Sequence, residues 1–359
     1  MDLPALVSRV GPILGFLVCI TIVAELADGL GVFAFIARGA ARLARGSVLR
    51  LWLLVVLVAV LATAVLSLDT TAVLLTPVVL ALAAQLRLDR MLFAFTAVWL
   101  ANTASLFLPV SNLTNLLALT RLPDAGVIAF LRLTWPAAVA CTVVTVMALA
   151  LFFRRSLRGS YVVGEAPEPA HPRLLVLGLV VCLLLGPAFV LGVDVTLASA
   201  VGAAVLVLAC AVGARHLLHW RLLPWKLVVG VAVLFVLVQL AHDHGLGELL
   251  GRLAGTGGSW TALLRLASLG ALGANVLDNL PAYLALEPVA LDHPVRLVAL
   301  LVGVNAGPLV TPWASLATLL WAARCRAAGV SVSWGGFAFR GLVLVPVLLV
   351  TATLALAYV

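Results

Sequence analysis

"SLDTTAVLLTPVV", Ser67 to Val79, sets an aspartate, two threonines and a proline inside an otherwise apolar run. The run extends over about 48–86. That is too long for one passage through a hydrocarbon layer of about 30 Å, and it is interrupted near its middle. A helix that enters, turns at mid-depth and leaves on its own side accounts for both features. Such a re-entrant hairpin is admissible where protein or a water-filled cavity covers its non-helical backbone. A second run, about 260–292, has the same form, with "NVLDNLP" (Asn275 to Pro281) at its middle.

The rest of the chain places these runs in a membrane. Of 359 residues, 64% are hydrophobic and 10% charged, with a mean hydropathy of +1.24. Globular domains carry about half apolar and about a quarter charged residues. The longest polar stretch, about 154–173, is too short for a soluble domain. The net charge of +8 does not indicate nucleic acid, because the basic residues lie between apolar runs and all but Lys226 are arginine. That placement serves orientation and contact with lipid headgroups. The first apolar run lacks a preceding basic stretch and is read as a retained helix. The five cysteines lie singly in separate apolar segments, so neither disulfides nor a zinc site is expected. No phosphate-binding GxxxxGK[ST] loop or nucleophile elbow is present, and neither catalysis nor a cofactor is expected.

Full spans are expected at about 11–28, 91–121, 127–153, 173–192, 194–213, 227–244, 294–321 and 337–359, eight in all beside the two hairpins. If both hairpins are re-entrant, one face collects sixteen basic residues, among them Arg38, Arg42, Arg90, Arg324 and Arg326, and the other six, among them Arg121 and Arg296. The bias marks the first face as cytoplasmic. Both termini then lie outside, the first hairpin opens to the cytoplasm and the second to the exterior. Glu25 and Asp28, at the end of the first span, read as solvated, as does the triplet His242, Asp243 and His244.

"NTASLFLPVSNLTNLL" (102–117) aligns without gaps on "NAGPLVTPWASLATLL" (305–320), with six of sixteen positions identical, including Asn102/Asn305 and Pro109/Pro312. Asp69 precedes the first block and Asp278 the second, and "DGLG" (28–31) is echoed by "HGLG" (244–247). The chain therefore divides into a first repeat (1–153; hairpin 48–86, broken helix 91–121), a linker with two spans (154–226) and a second repeat (227–359; hairpin 260–292, broken helix 294–321). Each repeat has an odd number of crossings, so the two face opposite ways. Inverted repeats whose broken helices meet at mid-membrane characterise secondary transporters. The expected fold is all-α, with two such repeats, each carrying a re-entrant hairpin and a discontinuous helix.

Pro109 and Pro312 remove backbone donors and disfavour helix before them. Around the breaks cluster Asn102, Ser105, Ser111, Asn112, Thr114 and Asn115, then Asn305, Thr311, Ser315 and Thr318. Unwound backbone and short polar side chains suit a small polar solute; a proline-kinked helix bonding its own backbone is the competing reading. Asp69 and Asp278 are the sharpest signals. A carboxylate at mid-depth costs about 2.5–3.5 kcal/mol on insertion scales, so each faces a cavity or a partner. Each is a candidate carrier of a coupling proton or cation, and each equally suits a helix N-cap.

"SLDTTAVLLTPVVLALA", "ANTASLFLPVSNLTNLL", "NLPAYLAL" and "GVNAGPLVTPWASLATLLW" resemble the arsenical pump membrane proteins, arsenite/antimonite efflux permeases of the ion transporter superfamily. The resemblance covers most of the chain. It implies homodimerisation in the cytoplasmic (inner) membrane, export of arsenite or antimonite against protons, and in some relatives a soluble ATPase partner. It places Asp69, Thr70 and Thr71 at the first hairpin tip, and Asp278 and Asn279 at the second; Asn275, in the same polar interruption, is a further candidate contact. Asn102, Ser111, Asn112, Thr114, Asn115, Asn305, Ser315 and Thr318 fall in the broken helices. Other members of that superfamily move dicarboxylates with sodium, or exchange sodium for protons, which leaves sodium as the second candidate coupling ion. Two acidic tips repel a dianion: unit charges about 4 Å apart at an effective dielectric near 20 interact by about 4 kcal/mol. A neutral hydroxylated solute fits them better.

Overall fold

The computed structural model describes residues 3–122, 126–162 and 170–357, and these are helical apart from connecting segments and one isolated bridge between Ser47 and Ser160. Among the described residues, seven helices are long and apolar enough to cross a membrane. Five match expected spans: α1 (Leu3–Gly29), α8 (Val127–Phe152), α9 (Pro172–Val190), α10 (Val195–Gly213) and α17 (Trp334–Leu356). The expected span at 227–244 is the single helix α11 (Trp225–Asp243). Two short amphipathic helices lie outside the expected spans: α2 (Val32–Leu43) and α12 (Leu246–Ala254), each opened by a left-handed glycine, Gly31 or Gly245. The polarity of the molecule is that of a membrane protein. Leu49, Leu53, Leu57 and Leu61 form an exposed stripe at helical spacing, a face that belongs against acyl chains.

The other two long helices are arms of the first hairpin: α3 (Val48–Leu66), and the composite arm Leu68–Gln85 built from α4 (Leu68–Thr70), a π-turn at Thr71–Leu75 and α5 (Thr76–Gln85). By length alone each arm could cross. Contacts at the mouth decide otherwise, because entry and exit are tied to one place. Gly46 accepts from the Tyr161 amide at 2.9 Å, beside the Ser47–Ser160 bridge, and Ser156 Oγ donates to Asp89 just past the exit at 2.5 Å. Helix α2 packs against both arms.

The second hairpin comprises α13 (Trp260–Val276), α14 (Asn279–Leu286) and a 3-10 turn at Glu287–Ala290. It is closed at its mouth by one fully buried guanidinium. Arg296 donates to Gly257 and Gly255 before the entry and to Val289 at the exit, and it pairs with Asp292 at 2.6 Å.

Each hairpin is followed by a broken helix. The first is α6 (Arg90–Thr103) and α7 (Leu113–Leu119); the second is α15 (Pro294–Ala306) and α16 (Leu316–Ala327). The breaks match the ungapped alignment residue for residue: 103 with 306 at the last helical position, 113 with 316 at the first beyond. Arg90, beside the first mouth, donates to the Ala328 carbonyl at the end of α16. Arg121, just past α7, pairs with Glu287 near the second mouth at 3.4 Å. The two hairpins therefore open toward opposite ends of the broken helices.

Close backbone contact holds the second unit together. Gly303 and Gly307 of α15 lie against Ala267 and Ala271 of α13, so closely that an added Cβ would strike the Ala267 carbonyl. Small residues four apart on both helices permit this approach, a recurrent device of helix packing in membranes. Around the broken helices, Phe95, Trp99, Trp321 and Phe337 form an aromatic core, and Trp321 Nε1 donates to Ala94 of the opposite unit.

Candidate substrate and ion site

The two hairpin tips are built differently. Ser67 turns the first tip at φ 98°, a conformation L residues rarely adopt, and its hydroxyl accepts from the Thr70 amide to cap the outgoing arm. Asp69, in the first turn, is therefore not the cap. It makes no side-chain hydrogen bond or ion pair among the described residues. At the second tip Asp278 is the cap: its Oδ1 accepts from the Leu280 amide at 3.1 Å, and the Leu316 amide also reaches its carboxylate. One anion thus joins the N-termini of α14 and α16, where the helix dipoles favour it. Asp69 and Asp278 lie within electrostatic range of each other.

The breaks meet through one buried residue. Asn305 Oδ1 accepts from Asn112 Nδ2 at 2.7 Å and from Thr114 Oγ1 at 2.9 Å, and its Nδ2 donates to Asn115 Oδ1 at 2.7 Å. Asn115 Nδ2 in turn donates to the Ser105 and Leu108 carbonyls of the unwound segment. The register partner of Asn305, Asn102, is equally buried, but it donates only to Val98 within its own helix, and its Oδ1 has no partner.

A cavity of about 620 Å³ opens where tips and breaks converge. Asp69, Asn112, Asp278 and Asn279 supply its polar wall; the rest is chiefly aliphatic, including Leu316 and Leu320 of α16 and Val231 and Leu234 of α11. Thr70 joins Asp69 in an adjoining cavity of about 280 Å³. Of the fourteen residues singled out in the sequence, these five line open space.

The other nine brace it. Thr71 is buried between the hairpin arms, accepting from Thr63 and donating to the Ser67 carbonyl. Ser111 donates to the Ala64 carbonyl, clamping the first break to the first hairpin. Asn275 gathers the second break: its Oδ1 accepts from the Val310 and Thr311 amides and its Nδ2 donates to the Gly307 carbonyl. Ser315 caps α16 and bonds Thr318. Thr114, Asn115 and Asn305 form the buried network, while Asn102 is buried and bonds only within its own helix.

Three cavity-lining residues were not among the site candidates read from the sequence. Glu25 and Arg324 line the smaller cavity, and Asp28 a third one, so neither acid is simply solvated. A charged residue at a span end or three positions from one is the signal that could have marked them. His242 and Asp243 have side chains outside the described residues.

A helical membrane protein whose acid-tipped hairpins and broken helices converge on an internal cavity is built as a transporter. The match to known proteins agrees. Residues 3–318 match the family model described as CitMHS, citrate transporter, and the chain belongs to that family. It is 30% identical to an arsenical pump membrane protein of Escherichia coli over 99% of this chain and 88% of that one. It is 29% identical, with the same coverage, to an arsenical pump membrane protein of Yersinia enterocolitica. An uncharacterized transporter of Mycobacterium tuberculosis is 26% identical over 91% of this chain and 81% of its own. Among solved structures, the Alcanivorax borkumensis YdaH transporter, described as having an unusual topology, shares the fold at a TM-score of 0.57 and 17% identity. That match covers 99% of this chain and 87% of the other.

Proposed function

We infer that the chain is a secondary transporter that exports arsenite or antimonite across the cytoplasmic membrane in exchange for protons. In this reading its two units are related by inversion, and both termini lie outside. The observation that carries it is Asp69, a carboxylate with no protein partner facing the central cavity. A proton on Asp69 excludes the charge from a low-dielectric site, and its departure resets the site. Asp278, bonded to the Leu280 amide, serves as the fixed end of the cavity.

The family description names citrate, and the relatives named as arsenical pumps are similar over nearly the whole chain. The cavity favours the second. Its lining carries two carboxylates and no basic side chain among the described residues, so a tricarboxylate would meet repulsion at both tips. An uncharged metalloid hydroxide offers hydroxyl donors to Asp69 and Asp278 and finds an amide at Asn279. The test is uptake of arsenite into everted vesicles under a pH gradient. Accumulation that collapses with the gradient supports the reading; sodium-driven citrate uptake with no effect of arsenite replaces it.

A further inference from the structure

Asp69 belongs to two cavities at once. The wall it forms with Pro224, Leu316 and Leu320 separates the central chamber from the smaller one of about 280 Å³. The two differ in chemistry. The smaller cavity is lined by the hydroxyls of Thr21, Ser67 and Thr70, by the carboxylates of Asp69 and Glu25, and by the guanidinium of Arg324. Glu25 is half-buried within the apolar span Gly11–Gly29, where a carboxylate without a task is costly.

Beyond Glu25 the line of acids continues outward. Asp28 lies three residues further along α1, on the same helix face. It lines a third cavity, of about 380 Å³, with Arg38 and Gln85, at the mouth of the first hairpin. Asp28 lies within electrostatic range of both Glu25 and Arg324. The charged groups that line this cavity with Glu25 are Asp69 and Arg324, and Asp28 follows on its own helix; of the helices packed against α1, α10 carries no charge, α9 carries Arg173, and α2 carries Arg42 and Arg38, the last sharing the third cavity with Asp28. The register of the broken helices pairs Arg324 with Arg121, and Arg121 is engaged by Glu287. Arg324 makes no ion pair among the described residues and is left facing Glu25 across the cavity.

We propose that Glu25 is the port through which the coupling proton passes between Asp69 and the face on which the first hairpin opens, with Asp28 next on the route. The proposal rests on the reading that Asp69 carries that proton. An O–H bond breaks at Asp69 and one forms at the Glu25 carboxylate, directly or through a hydroxyl or water in the cavity. Asp69 becomes the carboxylate and Glu25 the neutral acid; the proton then passes to Asp28 and to water at the mouth. No electron is transferred and the cavity's charge is unchanged by the first step. Arg324 shares the cavity with both carboxylates.

Purified protein in liposomes separates the port from the carrier. Arsenite-for-arsenite exchange at equal concentration and equal pH needs no net proton movement; accumulation on a pH gradient does. Glu25→Gln is expected to keep exchange within about twofold of wild type and to lower gradient-driven accumulation at least tenfold. Its remaining rate should lose the wild-type dependence on pH at the first-hairpin face, and Glu25→Asp should restore both. Gradient-driven accumulation by Glu25→Gln at the wild-type rate overturns the port. So does an equal loss of exchange and accumulation, which marks Glu25 as structural. The wild-type arm tests the parent reading separately: exchange without any gradient-driven accumulation shows that no coupling proton exists, and the port falls with it.

Discussion

Asn112 of one broken helix donates its side-chain amide to the side-chain carbonyl of Asn305 in the other across 2.7 Å. Two further bonds, from Thr114 and to Asn115, converge on the same side chain, so the two units are joined through one buried asparagine. Hydrogen bonds between helices in a membrane average about 0.6 kcal/mol each, and the three together come to about 2 kcal/mol. Asn305→Ala is expected to lower stability by about that amount, read as a fall in melting temperature in detergent, with transport impaired. Asn102→Ala, which removes only an intrahelical bond, should lower it less.

The two aspartates, alike in sequence, should respond differently. Asn is as good an N-cap as Asp, so Asp278→Asn keeps the bond to Leu280 and a stable fold, while Asp278→Ala loses about 1 kcal/mol. Asp69→Asn removes no hydrogen bond and should melt like wild type, yet lose gradient-driven transport. Equal loss of stability in Asp69→Asn and Asp278→Ala would contradict this division of labour.

Ser67 combines a helix cap with a strained backbone. Ser67→Ala loses the cap and keeps the strain, whereas Ser67→Gly loses the cap and relieves a conformation that costs an ordinary residue about 1–3 kcal/mol. The glycine variant should therefore melt above the alanine variant. The reverse order would show that the turn is held without strain.

Gly303 has no room for a methyl group against the Ala267 carbonyl. Gly303→Ala must separate α13 from α15, and with them the second hairpin from its broken helix. The expected outcome is a large drop in folded yield, whereas Gly335→Ala, at a position with open space around it, leaves yield unchanged.

Much of the architecture was legible because polar residues stand out against an apolar background. "SLDTT" and "VLDNLP" marked the tips, and the Asn102/Asn305 alignment put the two breaks in register. Helices α2 and α12 were not legible, since neighbouring apolar runs outweigh a short amphipathic segment. Nor was the difference between Asp69 and Asp278. Ser67 relieves Asp69 of the capping role, and the Leu316 amide that helps hold Asp278 lies 38 residues away. Asn275 and Asn305 looked like solute contacts because asparagine in a membrane helix must find partners. The partners proved to be backbone and side chains of the breaks. Glu25 and Arg324 come from helices nearly 300 residues apart, and only the folded chain puts them in one cavity.

Arsenite accumulation in everted vesicles under an imposed pH gradient, wild type beside Asp69→Asn, tests the central claim most directly. Wild-type vesicles should concentrate arsenite and release it when the gradient is collapsed, while Asp69→Asn vesicles holding equal amounts of folded protein should not concentrate it. Equal, gradient-dependent accumulation by both would contradict the assignment of the coupling proton to Asp69.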